Sequence, residues 1–188
     1  MVERQTSGFD EFIGEVRRIV SGTSDPVAQA SQVSEKLQGL LRSGKGWMEG
    51  RLQIPADQQV GEYELWRDPE LGFLFLVHVL RPQHISPVHN HGSHWVVYGV
   101  IENQILQQRY RRLDDGSREG YADLAAAGQD HQKEGNATFF SPLEAHSTSN
   151  PTDQRAVIVR ITQVDLSRVR RHRFVPSEKQ AIEFAGGR

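Results

Sequence analysis

Gly135-Asn136-Ala137-Thr138-Phe139-Phe140-Ser141-Pro142-Leu143-Glu144-Ala145-His146-Ser147-Thr148-Ser149-Asn150 is the stretch from which the fold can be read. Glu134-Gly135-Asn136 is a turn signal, and a short strand over 136–140 follows it. Upstream, Pro87-Val88-His89-Asn90-His91 carries two further histidines. Spaced two apart on a strand, their imidazoles point to one face, where a single metal ion can take both. Imidazole suits iron, zinc, copper and nickel. Alone, the pair is weak evidence, because surface strands place alternating polar residues outward without any metal; His146 in the second segment tips the reading toward metal.

Working outward, short runs at 60–67, 72–81, 94–101, 103–112, 136–140 and 155–164 read as strands, with a turn at Asp114-Asp115-Gly116-Ser117. Short strands separated by turns indicate an all-β sandwich or barrel, not alternating βαβ units. The chain before them reads as helical. Phe9, Phe12, Ile13, Val16, Ile19 and Val20 recur at three- and four-residue steps up to Ser21-Gly22. Asp25 caps a second helix with Pro26 in its first turn, and Val27, Ala30, Val33, Leu37, Leu40 and Leu41 form its apolar stripe before Ser43-Gly44-Lys45-Gly46.

The 188 residues are 37% hydrophobic and 24% charged, in keeping with one ordinary folded domain. A formal net charge of -2 offers no general attraction to nucleic acid or anionic membranes. The local run of Arg168, Arg170, Arg171 and Arg173 reads as a solvated surface, with a substrate rim or subunit contact as the sharper alternative. No cysteine is present, so disulfides, thiolate metal sites and cysteine nucleophiles are excluded, and a metal must use nitrogen or oxygen ligands. Met1 to Asp10 lacks the pattern of a secretory signal, and no run reaches the roughly eighteen apolar residues of a membrane span. A cytoplasmic protein is expected.

The two histidine segments together resemble the paired motifs of the cupins. The first cupin motif holds His-x-His and a later glycine; the second runs from glycine through proline to histidine and on to asparagine. His89, His91 and Gly99 match parts of the first, and Gly135, His146 and Asn150 match the second, with Pro142 displaced by one position. The motifs span Pro87 to Asn150, and the neighbouring strands extend the resemblance over most of residues 60–164. It implies an all-β fold, the cupin double-stranded β-helix or jelly-roll barrel, with two N-terminal accessory helices. The expected organisation is a helical extension over 1–50 packed on the barrel, the barrel over 51–175 and a C-terminal tail over 176–188.

One departure is informative. Where the first motif places a glutamate ligand, this chain has Trp95 and Val96, and Glu102 lies too far along the strand to replace it. Three histidines without a protein carboxylate resemble the cysteine dioxygenase group, whose members hold ferrous iron. That likeness implies Fe(II), with zinc, nickel or manganese as alternatives, and O2 together with a small thiol or carboxylate as reactants. L-cysteine fits poorly as the substrate. The arginine that holds its carboxylate falls at Tyr63, the strand after the third histidine lacks the Ser-x-His-x-Tyr set, and no cysteine exists for a cross-link. The similarity is closer to uncharacterised bacterial cupins with His-x-His-Gly-x-x-Trp and a late Arg-Ile pair, here Arg160-Ile161.

Arg160 interrupts an otherwise apolar run, Ala156-Val157-Ile158-Val159-Arg160-Ile161, so it needs an anionic partner. A structural ion pair and a clamp for a substrate carboxylate are the two readings. Tyr98 and Tyr110 are candidate pocket hydroxyls. His94, three residues after His91, falls on the opposite strand face, and His78, His84, His131 and His172 have no partner at ligand spacing. The leading expectation is an oxidoreductase. The alternatives are a non-catalytic metal- or ligand-binding barrel and a zinc- or manganese-dependent hydrolase or isomerase. A homodimer is expected, with the helices or an edge strand covering apolar surface.

Overall fold

The computed structural model describes residues 6–48 and 52–185. Two helices come first, α1 (Thr6–Gly22) and α2 (Pro26–Arg42). The second starts where the sequence places it: Asp25 Oδ1 accepts from the backbone N–H of Val27 at 2.9 Å and of Ala28 at 3.3 Å, which satisfies donors the first turn leaves open. The strands are β1 (Val60–Arg67), β2 (Leu74–Leu80), β3 (Val88–His89), β4 (Val96–Glu102), β5 (Gln104–Arg112), β6 (Leu124–Lys133), β7 (Ala137–Phe140), β8 (Ala145–Ser149), β9 (Ala156–Thr162), β10 (Arg171–Val175) and β11 (Gln180–Phe184).

They form two antiparallel sheets, ordered β1-β2-β9-β4-β7 and β11-β10-β3-β8-β5-β6. The winding is visible in the pairing. The β5–β6 hairpin is innermost; outward from it β4 pairs with β7, β3 with β8 and β2 with β9, and successive pairs alternate between the sheets. This is the jelly roll, the double-stranded β-helix of cupins, with two N-terminal helices.

In the first sheet, β2 and β9 are buried at every position. A strand buried on both faces reads as a continuous apolar run, and both faces are covered here. Val157, Val159 and Ile161 join a core with Phe9, Val16, Leu37 and Phe75 from the helix side. Ala156 and Ile158 join Tyr98, Val100 and Phe140 inside the barrel. Phe75 anchors the helix side, meeting the rings of Phe9, Phe12 and Trp47 edge-on at 5.0–5.8 Å.

Gly99, which matches the motif glycine, belongs to this helix–sheet contact. A Cβ there would lie 2.7 Å from Leu37 Cδ2 and from Leu41 Cδ1, so α2 docks against bare backbone. Gly99→Ala is expected to cost about 1–3 kcal/mol as overpacking. Thermal unfolding should show a melting point lowered by several degrees, and an unchanged one would mean that α2 is not tightly seated.

The structure differs from the sequence reading at the strands that reading omits. β6, β8, β10 and β11 are short or largely polar, and β3 is two residues long. The segment from 176, read as a tail, supplies β11, which pairs along β10 from Arg171↔Phe184 to Val175↔Gln180. Residues 186–188 at its end lie outside the described residues.

Candidate metal centre

His89 ends β3 and lies directly opposite His146 of β8. His91 lies beyond the strand, so the pair shares a face through a turn and not through strand alternation, a correction to the sequence reading. The turn is held by Asn90, whose Oδ1 accepts from Gly92 N at 3.3 Å and His172 N at 2.9 Å. Gly92 takes φ +63°, and a Cβ there would meet Arg170 O at 2.8 Å; both features call for glycine. Asn90 is a positioning residue that spacing alone did not reveal.

The three imidazoles converge. Their centroids are 4.7–5.1 Å apart, and one ring nitrogen from each lies within 4.8 Å of the others. Among the described residues no carboxylate joins them. His89 Nδ1 donates to Pro87 O at 2.9 Å, and His146 Nδ1 donates to Gln107 Oε1 at 3.0 Å, so in both rings Nε2 carries the lone pair. Gln107 is fully buried and also accepts from Thr148 Oγ1 at 2.8 Å. Such a partner fixes the tautomer of a ligating histidine, and nothing in the sequence pattern marks it. Phe140 stacks on His146 at 3.8 Å, and the Arg109 guanidinium lies 4.3 Å from the centre of the Phe140 ring.

His146 Nε2 and His91 Nδ1 are buried without a hydrogen-bond partner. Two orphaned, lone-pair-capable nitrogens on a common cluster fit a metal ion. Burial above all holds the three rings neutral. His89 is lowered to about 4, and His91 and His146 fall well below the usual histidine value, with the charge of Arg160 acting in the same direction. Neutral imidazole is the form a metal needs.

The same shifts set a pH dependence. In the unfolded chain these histidines protonate near pH 6.5, whereas in the folded chain His89 stays neutral to about pH 4, and His91 and His146 to well below their ordinary value. Stability is therefore complete above pH 6.5 and declines as pH falls toward 4, by up to about 1.4 kcal/mol per unit for each histidine. The melting point of metal-free protein should fall steadily from pH 7 to 5; a flat profile would contradict the buried neutral cluster.

Tyr98 reaches the cluster from the opposite sheet, its hydroxyl 3.4 Å from His91 Nε2. Burial raises its pKa, while the charge of Arg160 pulls the other way. Arg160 faces the interior, opposite Tyr98 in the β4–β9 pairing and only 7% exposed. It meets Glu62 at 3.5 Å, and its Nε has no partner. Arg171, read as part of a surface run, is 4% exposed and lies two positions from Arg173, the partner of His89; strand alternation turns it inward as well. Its guanidinium lies 4.7 Å from the centre of the Phe184 ring.

Tyr110 is not at the cluster. Alternation along β5 puts Arg109, opposite His146, on the inner face and Tyr110, opposite Ala145, on the outer one, where it packs with Ala145, Leu124 and Phe174. His94 lies 3.4 Å from Gln163 Oε1 and does not join the trio. Arg67 is held by Glu64 and Asp165. His78, expected as a surface or satisfied core residue, is buried beside Glu62.

The fold and the site define a jelly-roll barrel with a buried three-histidine cluster. The sequence matches neither a protein-family model nor a curated protein. Among solved structures the chain is similar to the cupin domain of Schizosaccharomyces pombe Cnp3, at 13% identity and a TM-score of 0.46, over 62% of this chain and 70% of that one. It is similar to an oxalate oxidase in complex with the substrate analogue glycolate, at 17% identity and a TM-score of 0.45, over 61% of this chain and 55% of that one. A third similarity is to an uncharacterised Klebsiella pneumoniae protein with a double-stranded β-helix domain, at 14% identity and a TM-score of 0.44, over 59% and 77%. The chain thus spans little more than half the length of the oxalate oxidase.

Proposed function

We propose that this chain is a metal-dependent oxidoreductase, a three-histidine dioxygenase of the cysteine dioxygenase-like kind acting on a small thiol or carboxylate. The observation that carries the reading is the cluster of half-buried His89 with buried His91 and His146, joined by no carboxylate among the described residues, beside the inward-facing Arg160. Ferrous iron held there would supply redox chemistry toward O2 and an electrophilic position for an anionic substrate atom.

The chain's own residues favour an acid. Three neutral imidazoles bring no negative charge to offset a divalent ion. Arg160 Nε and Gln107 Nε2 are buried donors without partners. Buried donors of this kind call for a ligand or water. Tyr98 is placed to donate a proton or a hydrogen bond beside His91. L-cysteine remains disfavoured, because the hydroxyl of Tyr63, at the position of that substrate's arginine, donates to Gln53 O at 2.6 Å and accepts from Gln53 N at 2.7 Å.

Anaerobic purification with elemental analysis, followed by a panel of small thiols and carboxylic acids in an oxygen electrode, tests the proposal. Iron-dependent O2 uptake with one of them is the expected result. Turnover without O2 would move the protein to the hydrolase or isomerase class, and metal binding without turnover to the ligand-binding barrels. No described helix is long and apolar enough to cross a membrane, and a cytoplasmic setting is part of the proposal. So is a homodimer. The apolar faces of the helices are covered within the chain except at Val27, which leaves Val27, Ile85, Leu113, Leu143 and Ile182 exposed as candidate contacts; a monomer mass by light scattering at micromolar concentration would remove it.

A further inference from the structure

Glu62 is an acidic side chain beside Arg160, whose proposed ligand is itself an acid. β1 pairs with β2 so that Glu62 lies directly opposite His78. β2 pairs with β9 so that Arg160 sits opposite Leu76, one inward-facing position from His78. Glu62 Oε2 lies 3.2 Å from His78 Nε2 and 3.5 Å from Arg160 Nη2. His78 and Arg160 are each 7% exposed, whereas the Glu62 side chain keeps 21%. A buried cation and a buried imidazole therefore converge on one carboxylate oxygen that can still reach solvent.

The contact is loose. Charge-assisted guanidinium–carboxylate bonds run near 2.8 Å and are often two-point. Arg67 shows that form here, its Nε and Nη2 meeting the two oxygens of Glu64 at 2.9 and 2.7 Å. Arg160 makes one 3.5 Å contact with Glu62, and its Nε is left without a partner. Gln58, Val60, Glu62, His78 and Arg160 line an open cavity of about 360 Å³, within the range that holds a small ligand.

From this arrangement we infer that Glu62 is a resident competitor: its carboxylate occupies the position on Arg160 that a ligand carboxylate takes, and so selects for ligands that can displace it. The inference rests on Arg160 as the carboxylate anchor and adds the residue that sets specificity. A neutral ligand leaves the Arg160–Glu62 contact in place and gains nothing from the guanidinium. An acid exchanges a one-point contact for a two-point one, and the displaced Glu62 turns to the solvent side, where it is already partly exposed.

The test is calorimetric titration of the full chain, metal-free and anaerobically iron-loaded, with mercaptoacetate and with 2-mercaptoethanol, which share a thiol and differ in the carboxylate. Glu62→Gln keeps the size of the side chain and removes its charge. Mercaptoacetate is expected to bind the variant about tenfold more tightly than the wild type, the scale of one hydrogen bond to a charged group, while 2-mercaptoethanol is unchanged. Mercaptoacetate affinity that is unchanged, weaker or undetectable in Glu62→Gln overturns the inference, as does equal tightening for both thiols. The underlying reading fails separately, if Arg160→Gln binds mercaptoacetate as well as the wild type. Circular dichroism on each variant confirms that the barrel is intact.

Discussion

His146→Ala is expected to lose most bound metal, as are His89→Ala and His91→Ala, with the barrel still folded in each. Altering a residue that merely orients a ligating histidine weakens metal binding by roughly 10–100-fold, and removing a ligand outright should exceed that. Folding does not depend on the trio: the helix-side core is built from residues such as Phe9, Phe75, Trp95 and Ile161, none of which touches the cluster rings. Gln107→Leu gives the graded comparison. It removes the acceptor at His146 Nδ1 while keeping all three imidazoles, so metal should remain detectable but be held within that 10–100-fold range of the wild type. Elemental analysis after dialysis, paired with circular dichroism, reads both effects. Stoichiometric metal in all three alanine variants would remove the assignment.

The fold was legible because its decisive features are local. Asp25-Pro26 marks a helix start by chemistry that acts within one turn, and β1, β4, β5, β7 and β9 lie within a few residues of the runs read from the sequence. The strands that escaped notice are those whose burial is one-sided or slight. β6, Leu124–Lys133, is mostly exposed and lies at a sheet edge, so no apolar alternation announces it. β10 hid behind its charges. Arg171, Arg173 and their neighbours look like a solvated run until the sheet turns Arg171 inward, and that is a property of pairing, not of local sequence.

The site divides along the same line. His89, His91 and His146 could be brought together from motif spacing, yet the means of doing so could not: the turn held by Asn90 and Gly92 replaces the expected strand alternation. Gln107, Glu62 and His78 carry no spacing signal because each acts through a contact across strands distant in sequence. Tyr110 misled for a related reason. Alternation along β5 holds through Gln107, Arg109 and Tyr110, but which face is the inner one is set by pairing with β8, where Arg109 lies opposite His146 and Tyr110 opposite Ala145.

Arg160→Lys is expected to weaken binding of a carboxylate ligand by tenfold or more while leaving metal content unchanged. Arg160 serves two sides at once: its charge is felt by His89, His91, His146 and Tyr98, while Nη2 reaches toward Glu62. A planar guanidinium can meet both sides and still present two parallel donors to a carboxylate; an ammonium keeps the charge but not the fork. A buried hydrogen-bonded charge contact contributes about 1.5–3 kcal/mol, which corresponds to roughly 10–150-fold in affinity. Because burial keeps the histidines neutral and the lysine preserves the positive charge near them, metal uptake is untouched. Ligand titration alongside elemental analysis of the same samples separates the two effects. Equal loss of metal and ligand would make Arg160 a structural support of the cluster, and full retention of both would remove the acid-binding role from Arg160.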